Sequence, residues 1–297
     1  MSVLIYRNHD CYLECEGKYA PAFVKNDYTI LKCTVCGLYS LETFDNYDKF
    51  VKEFYTAGYF DASEEGKIGY ADYSKEEPFV RKNARAHLKR IKKLEPSGKL
   101  LDVGCAMGFS TDEAWRLGYD VWGIDVSSYA INQAKKLLGD RVMAVPLHEA
   151  HFEDNAFDIV VMFDIIEHLA DPGADLQIIR RALRSDGLLV LCTGDVKSLY
   201  ARIMKTHYHF FAPPFHLHFF SVKTIRLLLE QAGFVIVKIE KRGKWFSFSY
   251  AIRILQNMNL PFVQRIFEWP PIKNIVAKWS FFFFAGDNMV IYARNKK

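Results

Sequence analysis

From residue 99 onward, short apolar runs alternate with longer segments in which apolar residues recur at helical spacing. The runs 99–104 (KLLDVG), 120–125 (DVWGID) and 157–164 (FDIVVMFD) predict strands, and the last is so apolar that both of its faces should be covered. Further strands are predicted at 143–145, 187–194, 234–241 and 288–294. Helices are predicted at 79–94, 110–117, 127–138, 176–183 and 221–232. Such alternation is typical of an α/β protein with a parallel sheet between layers of helices.

The predicted helix 79–94 is strongly basic. Its cationic residues are Arg81, Lys82, Arg85, Lys89, Arg90, Lys92 and Lys93. A charged helix face usually meets water, so a solvated outer face is the expectation and a nucleic-acid-binding face is the alternative. The chain as a whole has a net charge of +4, which is too weak to argue for a nucleic-acid partner.

Composition and the N-terminal sequence restrict the class of protein. Half of the residues are apolar and a quarter are charged, which excludes a disordered or low-complexity chain. No apolar run reaches the roughly 18 residues of a spanning helix. The start MSVLIYRNHD has an Arg and an Asp too early for a signal peptide, so we expect a cytoplasmic protein. The sequence predicts no particular oligomeric state.

Four of the six cysteines cluster near the N-terminus, as Cys11, Cys15, Cys33 and Cys36. Two pairs separated by seventeen residues come close to the spacing of a zinc ribbon, in which four thiolates hold one structural ion. The first pair is one residue wider than usual and lacks its glycine, and His9 could replace one thiolate. We expect a structural zinc ion, with a metal-free ribbon as the alternative. A catalytic metal is not expected at four thiolates, because they leave no open position.

A glycine-bearing turn, LDVGCAMG (101–108), stands where the first predicted strand of the alternating region meets its helix. Gly104 and Gly108 permit a tight turn, and the helix N-terminus supplies unpaired N–H groups. Asp125 ends the next strand, where a carboxylate can accept hydrogen bonds from both hydroxyls of a ribose. These features predict a nucleoside-bearing cofactor, with a glycine turn that binds nothing as the alternative.

Asp102, two positions before the first glycine, distinguishes between cofactors. Its carboxylate would repel the pyrophosphate of a dinucleotide, whereas it would attract an ammonium or a sulfonium group. The turn also departs from the G-x-G-x-x-G pattern of dinucleotide sites. S-adenosylmethionine carries both cationic groups, so the sequence favours this cofactor.

From about Phe79 to Ala293 the chain resembles the class I S-adenosylmethionine-dependent methyltransferases. The resemblance rests on the turn at 101–108 and on GIDVS (123–127), FEDNAFDIVVMFDIIEHLADP (152–172), RALRSDGLLVL (181–191) and HLHFFSVKTIRLLLEQAGF (216–234). It implies a Rossmann-like sheet of seven strands, mostly parallel with the last antiparallel, between layers of helices. Many methyltransferases of this kind also carry a small N-terminal ribbon, as the segment 1–45 would be here.

The resemblance implies roles for residues at the strand ends. Residues of the turn would line the methionine end of the cofactor: Asp102, Gly104, Cys105, Ala106 and Gly108. Asp125 would hold the ribose, and Val126 would lie beside the adenine. Phe163 and Asp164 would flank the methionine moiety and the mouth of the substrate site.

Two residues depart from the family pattern. Ala106 replaces the middle glycine of the turn, a small change that leaves the backbone approach intact. Pro146 stands where an acidic residue often contacts the adenine, so this contact would fall to the backbone around Leu147. The two cysteines of the main domain, Cys105 and Cys192, are expected to be small buried residues rather than nucleophiles.

Methyl transfer needs an oriented acceptor, and a hydroxyl acceptor also needs a base. Candidate bases are Glu167 and His168, after the strand 157–164, and His216 and His218, before the helix 221–232. The alternatives are structural, because His168 could close a loop by bonding to backbone and His216 could anchor its segment.

Two aromatic segments are expected to enclose the acceptor. The connector 46–78 is rich in Tyr and Phe, and an insert at 243–284, between the last two strands, holds twelve aromatic residues and five Lys or Arg against one acid. Helical spacing appears at 250–258 and 272–279. A cap over the pocket or a dimer surface is the favoured interpretation, and contact with an anionic membrane or a lipid-linked acceptor is the alternative.

The sequence therefore predicts a methyltransferase domain at 79–297 that methylates a small-molecule, saccharide or lipid-linked acceptor, most simply at oxygen. No N-P-P-Y-like string follows the strand 157–164, which argues against methylation of a base or amide nitrogen. Two alternatives remain at this point. One is an RNA-modifying methyltransferase that uses the ribbon and the basic helix. The other is a module that binds S-adenosylmethionine without turnover.

Overall fold

The computed structural model of the chain describes residues 10–42, 47–61, 73–247 and 280–296. In these residues the strands are β1 (Tyr19–Lys25), β2 (Tyr28–Cys33), β3 (Tyr39–Leu41), β4 (Lys99–Val103), β5 (Asp120–Asp125), β6 (Val142–Ala144), β7 (Phe157–Phe163), β8 (Leu183–Gly194), β9 (His218–Phe219), β10 (Phe234–Ser247) and β11 (Ser280–Asn295). The α-helices are α1 (Tyr47–Phe54), α2 (Ala57–Asp61), α3 (Glu77–Leu94), α4 (Phe109–Arg116), α5 (Ser128–Leu138), α6 (Pro172–Ala182), α7 (Leu199–Met204) and α8 (Val222–Gln231). No helix in this described part is long and apolar enough to cross a lipid bilayer.

Seven strands form the main sheet, in the spatial order β10-β11-β8-β7-β4-β5-β6. The strands from β8 to β6 in this order are mutually parallel, and β11 runs antiparallel to both β8 and β10. The chain runs outward from β4 through β5 to β6 and then returns to the other side of β4 with β7. At such a reversal a crevice opens outside the carboxyl ends of the strands, and ligands bind there. The predicted α/β architecture with an antiparallel last strand is confirmed.

The two faces of the main sheet bury separate apolar clusters. Successive residues of β7 alternate between them: Ile159 and Val161 belong to one cluster, Val160 and Met162 to the other. Each of these four side chains is at most 1% exposed. Full burial of one such side chain stabilises a fold by about 1.5–3 kcal/mol. Coverage of both faces explains why this strand is apolar at nearly every position.

The N-terminal segment forms a second, antiparallel sheet in the order β1-β2-β3-β9. Its fourth strand, β9, comes from the main domain and pairs His218 with Ser40 of β3. The segment also shares a core with the main sheet, since Leu13 and Leu31 pack in the same cluster as Leu101. The predicted ribbon is therefore joined to the main domain by backbone hydrogen bonds and by apolar packing.

The last two strands extend further than the sequence indicated. β10 and β11 enter the predicted insert 243–284 from both sides, so its described ends are strand rather than helix. Trp245 lies opposite Phe282 in their register. Aromatic residues favour strands when they pair across a ladder, which explains why the two strands continue into the aromatic ends of the insert. The helices predicted at 250–258 and 272–279 lie outside the described residues.

One basic residue of α3 does not face water as predicted. Arg81 is 9% exposed, and its guanidinium contacts Asp112 at 2.5 Å and Glu113 at 3.0 Å on α4. Arg85 contacts Glu113 from a more exposed position, at 2.5 Å. The expectation of a solvated side chain is wrong for Arg81, because two buried carboxylates offset its loss of water.

We expect Arg81→Ala to lower the free energy of unfolding by about 3 kcal/mol, because the buried carboxylates lose a cation. The matched control is Arg85→Ala, whose side chain is 54% exposed. This control should cost about 1 kcal/mol or less. Urea unfolding measures both free energies. Equal losses for the two variants would show that the burial of Arg81 does not increase the stabilisation by its ion pairs.

Candidate functional site

A cavity of about 680 Å³ opens at the carboxyl ends of β4, β5 and β7. Small-molecule sites usually measure about 300–1,000 Å³, so this cavity can hold a cofactor together with part of a substrate. One end is built by the glycine turn and β5. The other end is built by the residues that follow β7 and those that precede β9. Parts of α1, α2, α3, β10 and β11 close the remaining sides.

The glycine turn brings the backbone close to its neighbours at Gly104. This residue has a φ of +77°, and a Cβ on it would lie 2.0 Å from the Ile165 side chain. Its N–H donates to the carbonyl of Ile124 at 2.8 Å, which fixes the turn on β5. Ala106 also has a positive φ, of +47°, so the turn keeps a glycine-like conformation where the glycine is missing. Both residues line the cavity.

Gly108 packs closely against the neighbouring helix α5. Its φ is +80°, and a Cβ on it would lie 2.9 Å from Leu138 and 3.0 Å from Ala134, both on α5. It is not among the residues that line the cavity. A glycine at this position permits the close packing of the start of α4 on α5.

Asp125 lies at the end of β5 with its carboxylate held by backbone. One oxygen accepts the Ala106 N–H at 2.9 Å, and the other accepts the Ser127 N–H at 2.8 Å. Burial raises the pKa of this carboxyl. Each carboxylate oxygen has a second lone pair, which can accept a ligand hydroxyl. Val126 and Leu147 line the cavity beside it, Val126 with 40% of its surface exposed.

Asp102 is buried in the wall of the same end of the cavity. Its carboxylate accepts a hydrogen bond from the Thr111 hydroxyl at 2.7 Å. Burial raises the pKa of Asp102 to about 7. A cationic ligand beside it would favour the ionised form. Cys105 also lines this end, and burial raises the pKa of its thiol, as expected for an unreactive cysteine.

The aromatic connector forms one wall over this end. Tyr59, Phe60 and Tyr73 line the cavity. Tyr73 stacks on Phe109 at a ring separation of 5.8 Å, and Phe60 packs edge-on against Tyr73 at 5.7 Å. Residues 62–72 of the connector lie outside the described part of the chain. The described part covers the turn, which agrees with a role in enclosing the ligand.

The predicted bases Glu167, His168 and His216 come together at the other end of the cavity. The His168 and His216 rings are 4.7 Å apart. In each, Nδ1–H donates to a backbone carbonyl: His168 to Phe215 at 2.9 Å, and His216 to Phe210 at 2.6 Å. A neutral histidine with its proton on Nδ1 carries its lone pair on Nε2. Burial lowers the pKa of His168 to about 4 and that of His216 well below its usual value, so both rings are neutral at pH 7.

Glu167 is fully buried beside the two histidines. One carboxyl oxygen accepts a hydrogen bond from the Thr193 hydroxyl at 2.9 Å, whereas Oε1 has no hydrogen-bond partner among the described residues. Burial raises the pKa of Glu167 to about 8, and the charge of Asp164 contributes. His218, the fourth candidate, faces away from this group, since its Nδ1 lies 3.2 Å from Ser40 of the ribbon. It joins the small sheet to the main domain.

Phe163 and Asp164 lie between the two ends of the cavity, at the end of β7. Phe163 stacks on His87 of α3 at 5.0 Å. The Lys244 ammonium of β10 donates hydrogen bonds to both carboxylate oxygens of Asp164, at 2.7 and 2.5 Å. Sequence reasoning missed Lys244 as a site residue, because the predicted strand stopped three positions before it. Only a strand predicted to continue past residue 241 would have placed Lys244 at the cavity.

The four N-terminal thiols converge as predicted. Cys11 and Cys36 have sulfur atoms 3.5 Å apart, Cys15 and Cys33 3.4 Å apart, and all four sulfurs lie within 4.8 Å of one another. Four thiolates at such separations suit a tetrahedral zinc ion. Glu16 follows Cys15 with a φ of +58°, as Gly37 follows Cys36 with a φ of +79°, and a Cβ on the next residue, Gly17, would lie 2.4 Å from the Cys33 sulfur. His9 lies outside the described residues.

Comparison with known proteins agrees with this geometry. A family model described as "Methyltransferase domain" matches residues 75–239. The chain is 30% identical over 101 residues to the ubiquinone biosynthesis O-methyltransferase of Caulobacter sp. (strain K31), and 34% identical over 100 residues to that of Cereibacter sphaeroides. Each match covers 32% of this chain and 40% of the relative, so the chain spans about two fifths of the length of these relatives.

Among solved structures, the chain is similar to a SAM-dependent methyltransferase from Archaeoglobus fulgidus, with a TM-score of 0.50. The superposition covers 75% of this chain and 98% of that chain at 20% sequence identity. At this identity the likeness shows the fold alone.

We expect Gly104→Ala to lower the free energy of unfolding by about 2–4 kcal/mol, because it adds a clash with Ile165 to an unfavourable φ. Gly118→Ala is the matched control, since Gly118 has a φ of +90° and open space around it. This control should lose only about 1–2 kcal/mol, from the backbone conformation alone. Chemical denaturation compares the two, and indistinguishable losses would mean that the close approach at Gly104 is not needed.

Proposed function

Because the chain belongs to the methyltransferase-domain family, whose methyl donor is S-adenosylmethionine, we propose that it methylates a hydroxyl oxygen of a small molecule. The observation that carries this proposal is the cavity itself, whose lining includes Asp102 and Asp125 at one end and the neutral histidine pair at the other. When bound, the donor supplies a sulfonium-activated methyl group for in-line displacement at carbon. The relatives named above are O-methyltransferases, which supports an oxygen acceptor.

At the donor end, the residues of the chain bind the methyl donor and shield it from water. The Asp125 carboxylate accepts the ribose hydroxyls through its remaining lone pairs. Asp102 stabilises positive charge at the methionine end, because a buried carboxylate acts there in a low dielectric. Val126 and Leu147 provide apolar contact for the adenine, and the connector aromatics exclude water.

At the acceptor end, the residues orient the hydroxyl and take up its proton. The Nδ1–H bonds of His168 and His216 fix both rings, so that the lone pair of each belongs to Nε2. A neutral imidazole in this position can accept the hydroxyl proton as the oxygen–carbon bond forms. The Asp164–Lys244 pair marks the boundary between donor and acceptor, and Lys244 can stabilise negative charge on the acceptor.

The structure offers no support for the RNA-modifying alternative through α3. Arg81 and Arg85 contact Asp112 and Glu113, and Arg90 lies 3.3 Å from Glu240, so three of the seven cations of the helix pair with carboxylates within the molecule. The peripheral membrane contact proposed for 243–284 stays a prediction, since most of that insert lies outside the described residues.

We expect label from a methyl-labelled donor to appear on a phenolic or sugar hydroxyl when the chain is incubated with a panel of such acceptors. His216→Gln should lower kcat by about a hundredfold, because general base catalysis contributes at least this much, while donor affinity stays unchanged. Asp125→Asn should instead weaken donor binding, measured by calorimetry. His148→Gln, at an exposed position, is the control.

Two results would contradict the proposal. Donor binding without label on any acceptor or lysate fraction would identify a binding module. Full activity of His216→Gln would remove His216 from the chemistry and leave it a structural anchor.

We also propose that Cys11, Cys15, Cys33 and Cys36 bind one structural zinc ion. The protein purified from zinc-containing medium should hold about one zinc per chain by elemental analysis. Cys36→Ser should lose this zinc and unfold at a lower temperature, because metal binding to four thiolates is folding free energy. Cys192→Ala, far from the cluster in sequence, should keep its zinc. A wild-type protein without zinc would support the metal-free ribbon.

A further inference from the structure

We infer that the cavity binds a carboxylate of the acceptor on the wall beneath α3, through His87 of α3 and Asn288 of β11, with Arg242 of β10 beside them. These three residues are called the α3 wall below. The inference names a substrate class, a hydroxy acid, for the proposed function and rests on that function. The α3 wall is separate from the donor end and from the pair of His168 and His216.

The α3 wall is built on one face of the main sheet and on the helix that covers this face. Phe163 of β7 is the register partner of Cys192 on β8. The Cys192 thiol donates to Oδ1 of Asn288 at 3.3 Å, and His87 stacks on Phe163 with ring centres 5.0 Å apart. All four residues line the cavity. These neighbours place His87 and Asn288 on one wall.

His87 and Asn288 carry hydrogen-bonding groups that have no partner among the described residues. His87 is 7% exposed, and neither of its ring nitrogens bonds to another residue of the described part. Nδ2 of Asn288 is buried and has no hydrogen-bond partner there. A neutral imidazole offers one N–H, and a carboxamide offers two. Buried donors without partners cost free energy, so donors on a cavity wall call for an acceptor atom of a ligand.

The packing of α3 on β10 places His87 over the middle of that strand. The Asn83 side chain exchanges hydrogen bonds with the backbone of Trp245, at 2.8 and 2.9 Å, and Arg90 lies 3.3 Å from Glu240. Asn83, His87 and Arg90 are spaced by four and three residues, so they share one face of the helix. His87 therefore lies over the stretch of β10 between the two contacts.

That stretch carries more positive than negative charge. Arg242 lines the cavity, and its Nε donates to Glu240 at 2.8 Å. The same carboxylate lies 3.3 Å from Arg90 and 2.5 Å from Lys238. Three cations around one carboxylate leave two positive charges in excess, and this excess attracts an anion.

A carboxylate matches both the donors and the charge of the α3 wall. Burial and then the charge of Lys244 lower the pKa of His87 to about 4, although Asp164 acts in the opposite direction. The ring is therefore neutral at pH 7 and donates one hydrogen bond. A carboxylate has two oxygens, so it can accept from His87 and from Asn288 at the same time. An amide in its place has one acceptor oxygen and no charge.

Hydroxy acids and their amides test the inference, because the members of each pair differ only at the carboxyl group. The probes are 4-hydroxybenzoate with 4-hydroxybenzamide, 3-hydroxybenzoate with 3-hydroxybenzamide, and glucuronate with glucuronamide. Each probe is titrated into the full chain at pH 7. We expect the acid of at least one pair to bind about tenfold more tightly than its amide, as one hydrogen bond to a charged group provides.

Three variants should reduce this preference to about threefold or less, because each removes a donor or a charge from the α3 wall. They are His87→Phe, which keeps a ring against Phe163, Asn288→Leu and Arg242→Gln. Lys89→Gln is the matched control, since it removes a positive charge at an exposed position of α3 and should keep the preference. Circular dichroism verifies that each variant is folded.

The His87 ring gives a second readout that a purely structural role would not change. Its pKa, followed by nuclear magnetic resonance of ¹³C-labelled histidine, should rise when the preferred acid is bound, because a neighbouring negative charge favours the imidazolium form. The matching amide should leave the pKa unchanged. Equal pKa values with acid and amide would show that the carboxylate does not lie beside His87.

The outcomes decide separately on the α3 wall and on the proposed function. No pair with a preference for the acid, or a preference that all three variants retain, would overturn the carboxylate site. Methyl label transferred equally to acids and amides would also overturn it and leave the proposed function intact. A preference for the acid that the variants lose, without label on any hydroxyl, would support the carboxylate site and overturn the proposed function.

Discussion

Two backbone hydrogen bonds connect the N-terminal ribbon to the acceptor end of the cavity. The N–H of Leu41, at the end of β3, donates to the Leu217 carbonyl at 2.8 Å, and the Leu217 N–H donates to the Glu167 carbonyl at 2.8 Å. This ladder holds the two segments that carry His168 and His216 side by side. The thiol cluster closes the other end of the same small sheet, so the ribbon is part of the framework of the site. A change at the thiol cluster is therefore expected to reach the histidine pair through main-chain contacts.

Burial is the main cause of the altered acid–base behaviour in the cavity, and it acts in opposite directions on acids and bases. It raises the pKa of Asp102 to about 7 and of Glu167 to about 8, and it lowers that of His168 to about 4. All three groups are thereby moved toward their neutral forms. A cationic ligand beside Asp102 would favour the ionised form of that carboxyl. The histidine end, in contrast, holds neutral imidazoles, and the Asp164–Lys244 pair lies between the two ends.

The sequence predicted the strands, helices and turns that depend on the pattern of neighbouring residues. Apolar runs, the turn around Gly104 and the position of Asp125 follow from short-range pattern, and each lies where the strand–helix alternation indicated. His216 and His218 stand before the same helix, so local pattern alone gave no surroundings for either. The structure separates them: His218 is in β9 and points to the ribbon, whereas His216 precedes the strand and reaches the cavity. Such differences depend on partners distant in the chain, as does the burial of Arg81.

The extension of β10 and β11 also depends on contacts between residues distant in the chain. It affects which side chains line the cavity. Their pairing continues to Ser247 opposite Ser280, so the two ends of the intervening segment are tethered together. Lys244 and Trp245, just before that point, line the cavity, and Phe281 and Phe283 line it from the other strand. The segment between the strands is thus attached at the acceptor end. The paired ends of the two strands, with Lys244, Trp245, Phe281 and Phe283, therefore form one wall of the cavity, whereas the wall around Asp102 and Asp125 is built by the sheet and the connector.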